Sequence, residues 1–246
     1  DLVSQAGGMD ATPARSMRMR PAAYATPAPL GAESAPLPSQ AQNHPSDKYV
    51  GEWRDDMKHG EGTCTYANGD RYSGQWLDNE RSGYGICHYA SGDRYEGEWR
   101  RDLRSGHGSY FFKNGDAFTG EWGKDMRMDG PGSLAFANED SYEGNFVDTL
   151  PHGEGTCTFN NGNVYSGNWM RGYMHGNGKL SFGGGAAVYE GAFVKSARHG
   201  WGVMVDSEGN KYSGEWRFDR RTGEGTCEYT NGDTYIGYWR NDMKNG

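Results

Sequence analysis

The sequence predicts an all-β chain: an elongated, single-layer antiparallel sheet of consecutive β-hairpins, preceded by a disordered N-terminal arm. A Tyr-x-Gly-x-Trp motif recurs every 23 or 24 residues, and glycine contributes 40 of the 246 residues. Asn-Gly-Asp triplets follow short runs rich in Thr, Tyr and Phe, which is a strong signal for β-hairpins. Aromatic residues make up 13% of the chain and aliphatic ones are few. This composition favours a ring-packed array of repeats.

The N-terminal arm covers residues 1–47 and is rich in Ala, Pro and Ser. A segment of this composition cannot bury enough apolar surface to offset the entropy of ordering it, so we expect it to be disordered. Its one local feature is the cluster RSMRMR at residues 15–20. A solvated tail is the favoured interpretation, with a docking peptide or a transit-like segment as alternatives.

The repeat array covers residues 48–246, as eight full repeats and a partial ninth. Each repeat opens with an aromatic residue, a glycine two positions later and a second aromatic residue two positions further on. This alternation places all three on one face of a strand. We expect the rings to form a partner-binding ladder. Its members are Tyr49, Trp53, Tyr72, Trp76, Tyr95, Trp99, Phe118, Trp122, Tyr142, Phe146, Tyr165, Trp169, Tyr189, Phe193, Tyr212, Trp216, Tyr235 and Trp239.

A Gly-x-Gly doublet begins the second half of each repeat, and a charged connection of about six residues leads into it. Connections this short predict that neighbouring hairpins pair in sequence order. The glycine between the two rings predicts a slot in which an aromatic residue of a neighbouring repeat lies. The chain stops at Gly246, where the ninth doublet would begin. We therefore expect either a longer protein or a last hairpin that something else caps.

The register of each hairpin stays open at this stage. A two-residue Asn-Gly turn would pair Thr65 with Tyr72 and place Tyr72 and Trp76 on the face opposite Cys64 and Tyr66. A three-residue loop with a glycine bulge would pair Cys64 with Tyr72 and place all of them on one face. Because a slip of one residue exchanges the faces, the rings serve either as a contact surface or as a packed spine.

Two repeats depart from the period. The repeat that opens at Phe118 has an extra residue, which we place in the loop 123–129, and its turn at 138–140 has Glu in place of Gly. The repeat that opens at Tyr165 has an extra residue in the glycine-rich turn 183–186. We expect both places to be bends in the array.

No catalytic, metal or cofactor site is predicted. Adjacent repeats lie about 9–10 Å apart, farther than the Cα separation of a disulfide and too far for the ligands of one metal ion. The doublets do not continue into a phosphate-binding motif. We therefore interpret the cysteines as small apolar side chains and the histidines as structural loop-end residues. They are Cys64, Cys87, Cys157 and Cys227, and His59, His152, His175 and His199.

Charge and hydropathy restrict the partners. The net charge is −8, and neither a basic stripe nor a run of 18 apolar residues occurs. We therefore expect no nucleic-acid binding, no membrane span and a cytoplasmic protein. The loop cations alternate with aspartates, so attraction to anionic lipid should be weak. They are Arg100, Arg101, Arg104, Lys124, Arg127, Arg217, Arg220 and Arg221.

The recurring Tyr-x-Gly-x-Trp, Gly-x-Gly and Gly-Asp-x-Tyr-x-Gly-x-Trp pattern over residues 49–246 resembles the MORN (membrane occupation and recognition nexus) repeat. The resemblance implies a non-enzymatic scaffold whose groove receives a helix or extended segment of another protein and whose sheet ends support self-association. The array is most similar to stand-alone members of the family, which implies a place in a cytoskeletal assembly. A radial-spoke-type component of the axoneme of cilia and flagella is the first choice. A peripheral membrane or phosphoinositide-binding tether is the alternative. Phe118, Phe146, Phe193 and Glu139 are mild departures from the pattern.

Overall fold

The fold is described from a computed structural model, and the description covers residues 46–245. All but the last two residues of the predicted arm, together with its RSMRMR cluster, lie outside the described residues. The described chain divides between Leu150 and Pro151 into two compact units, called here the N-terminal and the C-terminal unit. Within residues 46–245, no helix has the length and apolar character needed to cross a bilayer.

Eighteen strands follow one another along residues 46–245. Within each unit, consecutive strands pair antiparallel, which confirms the predicted all-β class and the sequential hairpins. The strands are β1 Lys48–Arg54, β2 Met57–Thr65, β3 Arg71–Leu77, β4 Glu80–His88, β5 Arg94–Arg100, β6 Leu103–Phe111, β7 Ala117–Gly123, β8 Met126–Ala135, β9 Ser141–Val147, β10 Leu150–Thr158, β11 Val164–Met170, β12 Tyr173–Phe182, β13 Ala187–Val194, β14 Ala197–Val205, β15 Lys211–Arg217, β16 Arg220–Glu228, β17 Thr234–Arg240 and β18 Met243–Asn245.

The charged connections are tighter than the sequence predicts. Two residues, not about six, join β5 to β6, and both have positive φ: 52° at Arg101 and 64° at Asp102. Positive φ at both positions defines the type I′ turn, whose twist matches that of the flanking strands. The remaining residues of each predicted connection therefore extend the strands, and the glycine doublet lies inside a strand.

The second turn of each repeat decides the open register. The amide of Tyr66 donates to the carbonyl of Asp70, and the amide of Gly69 donates to the carbonyl of Tyr66, which closes a three-residue loop. Gly69 has φ +93°, which favours glycine. Cys64 consequently pairs with Tyr72. The three-residue alternative is correct, and the rings share one face with the cysteine column.

The two glycines of a doublet have different roles. Gly83 has φ +62° and lies in a bulge, where the side chain of Gln75 accepts a hydrogen bond from the Tyr84 amide at 3.1 Å. Gly85 lies under the Tyr72 ring, and a Cβ there would be 2.5 Å from the ring's Cζ atom. The tyrosine of the preceding strand thus covers the doublet. The atoms nearest to a Cβ at Gly74 would be backbone atoms of Gly85 and Tyr84 and the hydroxyl of Tyr72, all of the same repeat, and not the ring of a neighbouring repeat that the sequence predicts.

Hydrogen bonds from side chains connect successive repeats at the loop end. The carboxylate of Asp70 accepts a hydrogen bond from the backbone amide of Ala90, one repeat further on, at 2.7 Å. Asp93 accepts from the Lys113 amide in the same way at 2.8 Å. The aspartate of the Asn-Gly-Asp turn therefore links neighbouring turns, which explains its recurrence.

Both irregular repeats keep the hairpin. In the first, the extra residue lies within β8 and not in the loop: Gly120 pairs with Gly132 and Trp122 with Arg127, so β8 bulges around Gly130. Glu139 adopts φ +70° where the other turns use glycine. In the second, a 3₁₀ turn forms at Gly183–Gly185. Whether these places bend the array stays a prediction.

Candidate functional site

The predicted ring ladder is continuous within each unit. Tyr72 makes edge-to-face contacts with Trp76 of its own strand at 5.1 Å and with Trp99 of the next repeat at 5.4 Å, measured between ring centroids. The Trp99 indole N–H donates to the carbonyl of Gly85 at 3.1 Å, and the Tyr72 hydroxyl donates to that of Gln75 at 2.9 Å. Burial raises the pKa of the Tyr72 hydroxyl above its ordinary value. Both rings therefore satisfy their polar atoms within the sheet.

Fifteen of the eighteen ladder rings are buried. Tyr49 and Tyr235 are half-buried, and Trp53 on the edge strand β1 is 54% exposed. Of the two roles that the register left open, burial supports the packed spine, because a partner cannot touch a ring that its neighbours already cover. A contact surface must therefore be sought elsewhere in the described chain.

A column of buried cations also covers the ladder. Arg81 is only 4% exposed, and its guanidinium lies 4.1 Å from the Trp99 ring centroid. Its Nε donates to the carboxylate of Asp102 at 3.0 Å, and its backbone amide donates to the same carboxylate at 2.9 Å. Cation–π contact and a shared acceptor thus hold a guanidinium inside the sheet.

The buried cations correct the interpretation of the loop charges. Arg104 and Arg127, which we assigned to exposed loops, are buried, and Arg221 lies 4.3 Å from the Trp239 ring centroid. These cations recur at the same spacing of 23 or 24 residues as the ladder rings, and this recurrence is the signal in the sequence that could have revealed them. The column consists of five buried cations, one half-buried cation and one exposed cation: Lys58, Arg81, Arg104, Arg127 and Arg198 are buried, Arg221 is half-buried and Lys244 is exposed.

The cysteines are buried in the sheet, and His59 lies beside a carboxylate. All four cysteines are free and fully buried in the column that faces the rings. Burial raises the pKa of the Cys87 thiol to about 11, so little of the reactive thiolate exists at neutral pH. His59 lies 3.5 Å from the Asp78 carboxylate. Across residues 46–245, no group of three or more His, Cys, Asp or Glu side chains is placed to hold a metal ion.

The face opposite the ladder, called here the open face, carries a groove in the C-terminal unit. Its volume is about 860 Å³, and its apolar wall is formed by Val188, Trp201, Val203 and Val205. Trp201 is 60% exposed. An exposed indole beside an apolar wall is the kind of side chain that dominates protein interfaces. We identify this groove as the candidate functional site.

Trp201 stands out against the same position in the other repeats. It is the residue between the two glycines of the Gly-x-Gly doublet, and in every repeat this middle residue points to the open face. Polar residues and proline dominate this column, and Tyr84 is its one other aromatic residue. The column is Glu61, Tyr84, His107, Pro131, Glu154, Asn177, Trp201 and Glu224. The aromatic residue at this position, where most repeats have a polar one, is the signal in the sequence that could have revealed Trp201.

The open face of the N-terminal unit is acidic along its midline. On each of its nine strands, two open-face positions flank the paired glycines. None of these positions, all of which are described, holds Lys or Arg, and six hold glutamate. The six are Glu52, Glu61, Glu96, Glu98, Glu121 and Glu143.

A hairpin that recurs every 23 or 24 residues and links to its neighbour through turn carboxylates defines a β-hairpin repeat protein. The sequence profile described as "MORN repeat" matches eight stretches: 49–71, 72–94, 95–117, 142–164, 165–187, 189–211, 212–234 and 235–246. These matches cover more than half of the chain, so the chain belongs to the MORN repeat family. The stretch 118–141, which contains the first insertion and Glu139, lies between two matches yet forms a hairpin of the same kind.

Solved structures similar to the chain include domains of CPAP. They are the wild-type TCP10 domain of Danio rerio CPAP in complex with a peptide of Danio rerio STIL (14% identity, 78% of this chain and 84% of that chain, TM-score 0.43), the same domain alone (12%, 80% and 91%, TM-score 0.44) and the G-box domain of the microcephaly protein CPAP (14%, 74% and 100%, TM-score 0.41). All three TM-scores lie below 0.5, so the family assignment rests on the repeat match. No curated protein matches the chain significantly.

Proposed function

We propose that the protein is a non-enzymatic scaffold that holds a segment of a partner protein in the open-face groove of its C-terminal unit. The observation that carries this proposal is the exposed Trp201 beside Val203 and Val205. Most other large rings are buried in the ladder. A rigid, pre-formed groove with one aromatic anchor suits a helix or an extended segment.

We further propose that the scaffold belongs to a cytoskeletal assembly, with the ciliary axoneme as the first choice. Support for this finer proposal comes from the resemblance to stand-alone MORN proteins. The experiment is fractionation of detergent-extracted axonemes. Retention of the protein in the axonemal pellet is expected, and its complete release with the membrane and matrix fraction would contradict the axonemal placement.

The charge of the open face does not favour the lipid-binding alternative. Six glutamates line the midline of the N-terminal unit's open face, and Arg81, Arg104 and Arg127 are buried among rings. Anionic lipid attracts exposed cations, so these three buried arginines contribute little to such an attraction. Flotation with phosphoinositide-containing vesicles at physiological salt should leave the protein in the pellet fraction.

Replacing Trp201 by alanine should weaken partner binding strongly without unfolding the sheet. An aromatic anchor at the centre of an interface contributes about 2 kcal/mol or more, which corresponds to about a 30-fold loss of affinity. Because Trp201 is exposed, the variant's stability should change by only about 0.5 kcal/mol. The measurement is quantitative co-purification of partners from axonemal extract with wild type and variant.

The matched control for this prediction is Tyr84→Ala. Tyr84 occupies the same doublet position in another repeat and is 53% exposed. It lies outside the groove, so the set and amount of retained proteins should stay at the wild-type level. Equal retention by Trp201→Ala, with loss caused by Tyr84→Ala instead, would contradict the assignment of the groove.

A further inference from the structure

We propose that the Trp201 groove also receives a segment of this protein itself, the RSMRMR cluster at residues 15–20. The inference rests on the proposed function, because it assigns a second occupant to the same groove. The segment belongs to the part of the chain that the structure does not describe. The segment, when it occupies the groove, would compete with the partner for the same site.

Charge complementarity favours this occupant. Two carboxylates, Glu154 and Glu190, line the groove, and Glu215 lies directly across the strand pair from Trp201. The one groove cation, Lys179, pairs in register with Glu190. The segment brings three arginines and no acidic residue. Its arginines are thus opposite in sign to the excess charge around Trp201, which favours association and sets its register.

Side-chain type agrees with the charge argument. Met17 and Met19 are flexible apolar side chains that fit an irregular valine-lined wall.

The indole adds a specific attraction for arginine. A guanidinium over a tryptophan face is favourable, and more so when partly desolvated. The protein already uses this contact on its other face, where Arg198 lies 4.3 Å from the Trp216 ring centroid. Trp201 offers the same ring without a cation of its own repeat above it, since Arg198 is directed to the ladder face.

A long connection precedes the array. Residues 21–47 join the segment to β1, and a fully extended chain of that length spans about 90 Å. The Ala- and Pro-rich composition of this connection predicts no core of its own.

The test uses the full chain with a diazirine-bearing amino acid in place of Met17. After irradiation and peptide mapping, cross-links are expected to concentrate on β12 to β14, residues 173–205. Glu190→Lys, and separately the triple change of Arg15, Arg18 and Arg20 to Glu, should lower these cross-links by about fivefold or more. The control Glu61→Lys makes the same charge change on the other unit and should leave them unchanged.

Two outcomes would overturn the inference: cross-links spread evenly over the array, or groove cross-links that Glu190→Lys does not reduce. The result is separable from that for the proposed function. If Trp201→Ala abolishes partner capture while no groove cross-link forms, the inference fails and the scaffold function stands. If groove cross-links form while Trp201→Ala retains partners, the self-contact stands and the proposed partner site fails. Deleting residues 1–20 should increase partner capture if both hold.

Discussion

Replacing Arg81 by alanine is expected to destabilise the N-terminal unit by about 4 kcal/mol. The change removes a guanidinium from the Trp99 face and leaves the carboxylate of Asp102, which is 6% exposed, without its cation. An uncompensated buried charge costs far more than the pair contributes. Hydrogen exchange of the β4–β6 amides measures the loss, because an array of repeats need not unfold in one step.

Two further variants identify the cause. Arg54→Ala removes an exposed ion pair with Asp78, also 3.0 Å long, and should cost only about 0–1 kcal/mol. The double change Arg81→Lys with Asp102→Asn copies the Lys58–Asn79 combination of the first repeat, where the Lys58 amide donates to the Asn79 side chain. It should recover most of the stability. A cost for Arg81→Ala no larger than that for Arg54→Ala would contradict the structural role of the buried column.

Gly202→Ala should destabilise the C-terminal unit by about 3 kcal/mol through overpacking. A Cβ at this position would lie 2.6 Å from the Cε2 atom of the Tyr189 ring, which is fully buried and cannot move aside without breaking its contacts with Phe193 and Trp216. The measurement is urea unfolding followed by near-ultraviolet circular dichroism.

Gly232→Ala is the matched control for steric packing. Gly232 has φ +92° and no atom within 4 Å of a Cβ, so alanine there costs only the backbone strain, about 1–2 kcal/mol. The two variants separate ring packing from conformational freedom. If Gly202→Ala costs no more than Gly232→Ala, the tyrosine-over-glycine packing does not hold the sheet together as described.

The repeat period, the hairpins and the Asn-Gly-Asp turns could be predicted from the sequence because each depends on residues close together in the chain. The turn around Gly69 needs a positive φ, and the glycine at this position indicates such a turn. The links between repeats could not be predicted, because they join residues that are far apart in the chain. The amide that Asp70 accepts from belongs to Ala90, one full repeat away, and no local pattern shows which group a carboxylate meets.

The face of the rings could not be predicted because two loop lengths fit the same turn residues. Only the backbone pairing of Cys64 with Tyr72 decides it. The arginine column was assigned to the surface because charged residues in a polar stretch are usually solvated. Here a type I′ turn shortens the connection and carries Arg81 over the Trp99 ring. The fold could thus be predicted from the sequence, whereas the exposed side of the sheet could not.

Hydroxyl-radical footprinting of all eight tryptophans in the full chain tests most directly whether the ladder is a spine and the open face is the contact surface. Trp53 and Trp201 are expected to be modified rapidly, because they are 54% and 60% exposed. The six others should stay protected until the sheet unfolds. They are Trp76, Trp99, Trp122, Trp169, Trp216 and Trp239. Modification of Trp99 and Trp216 in the folded protein as fast as that of Trp201 would contradict the account.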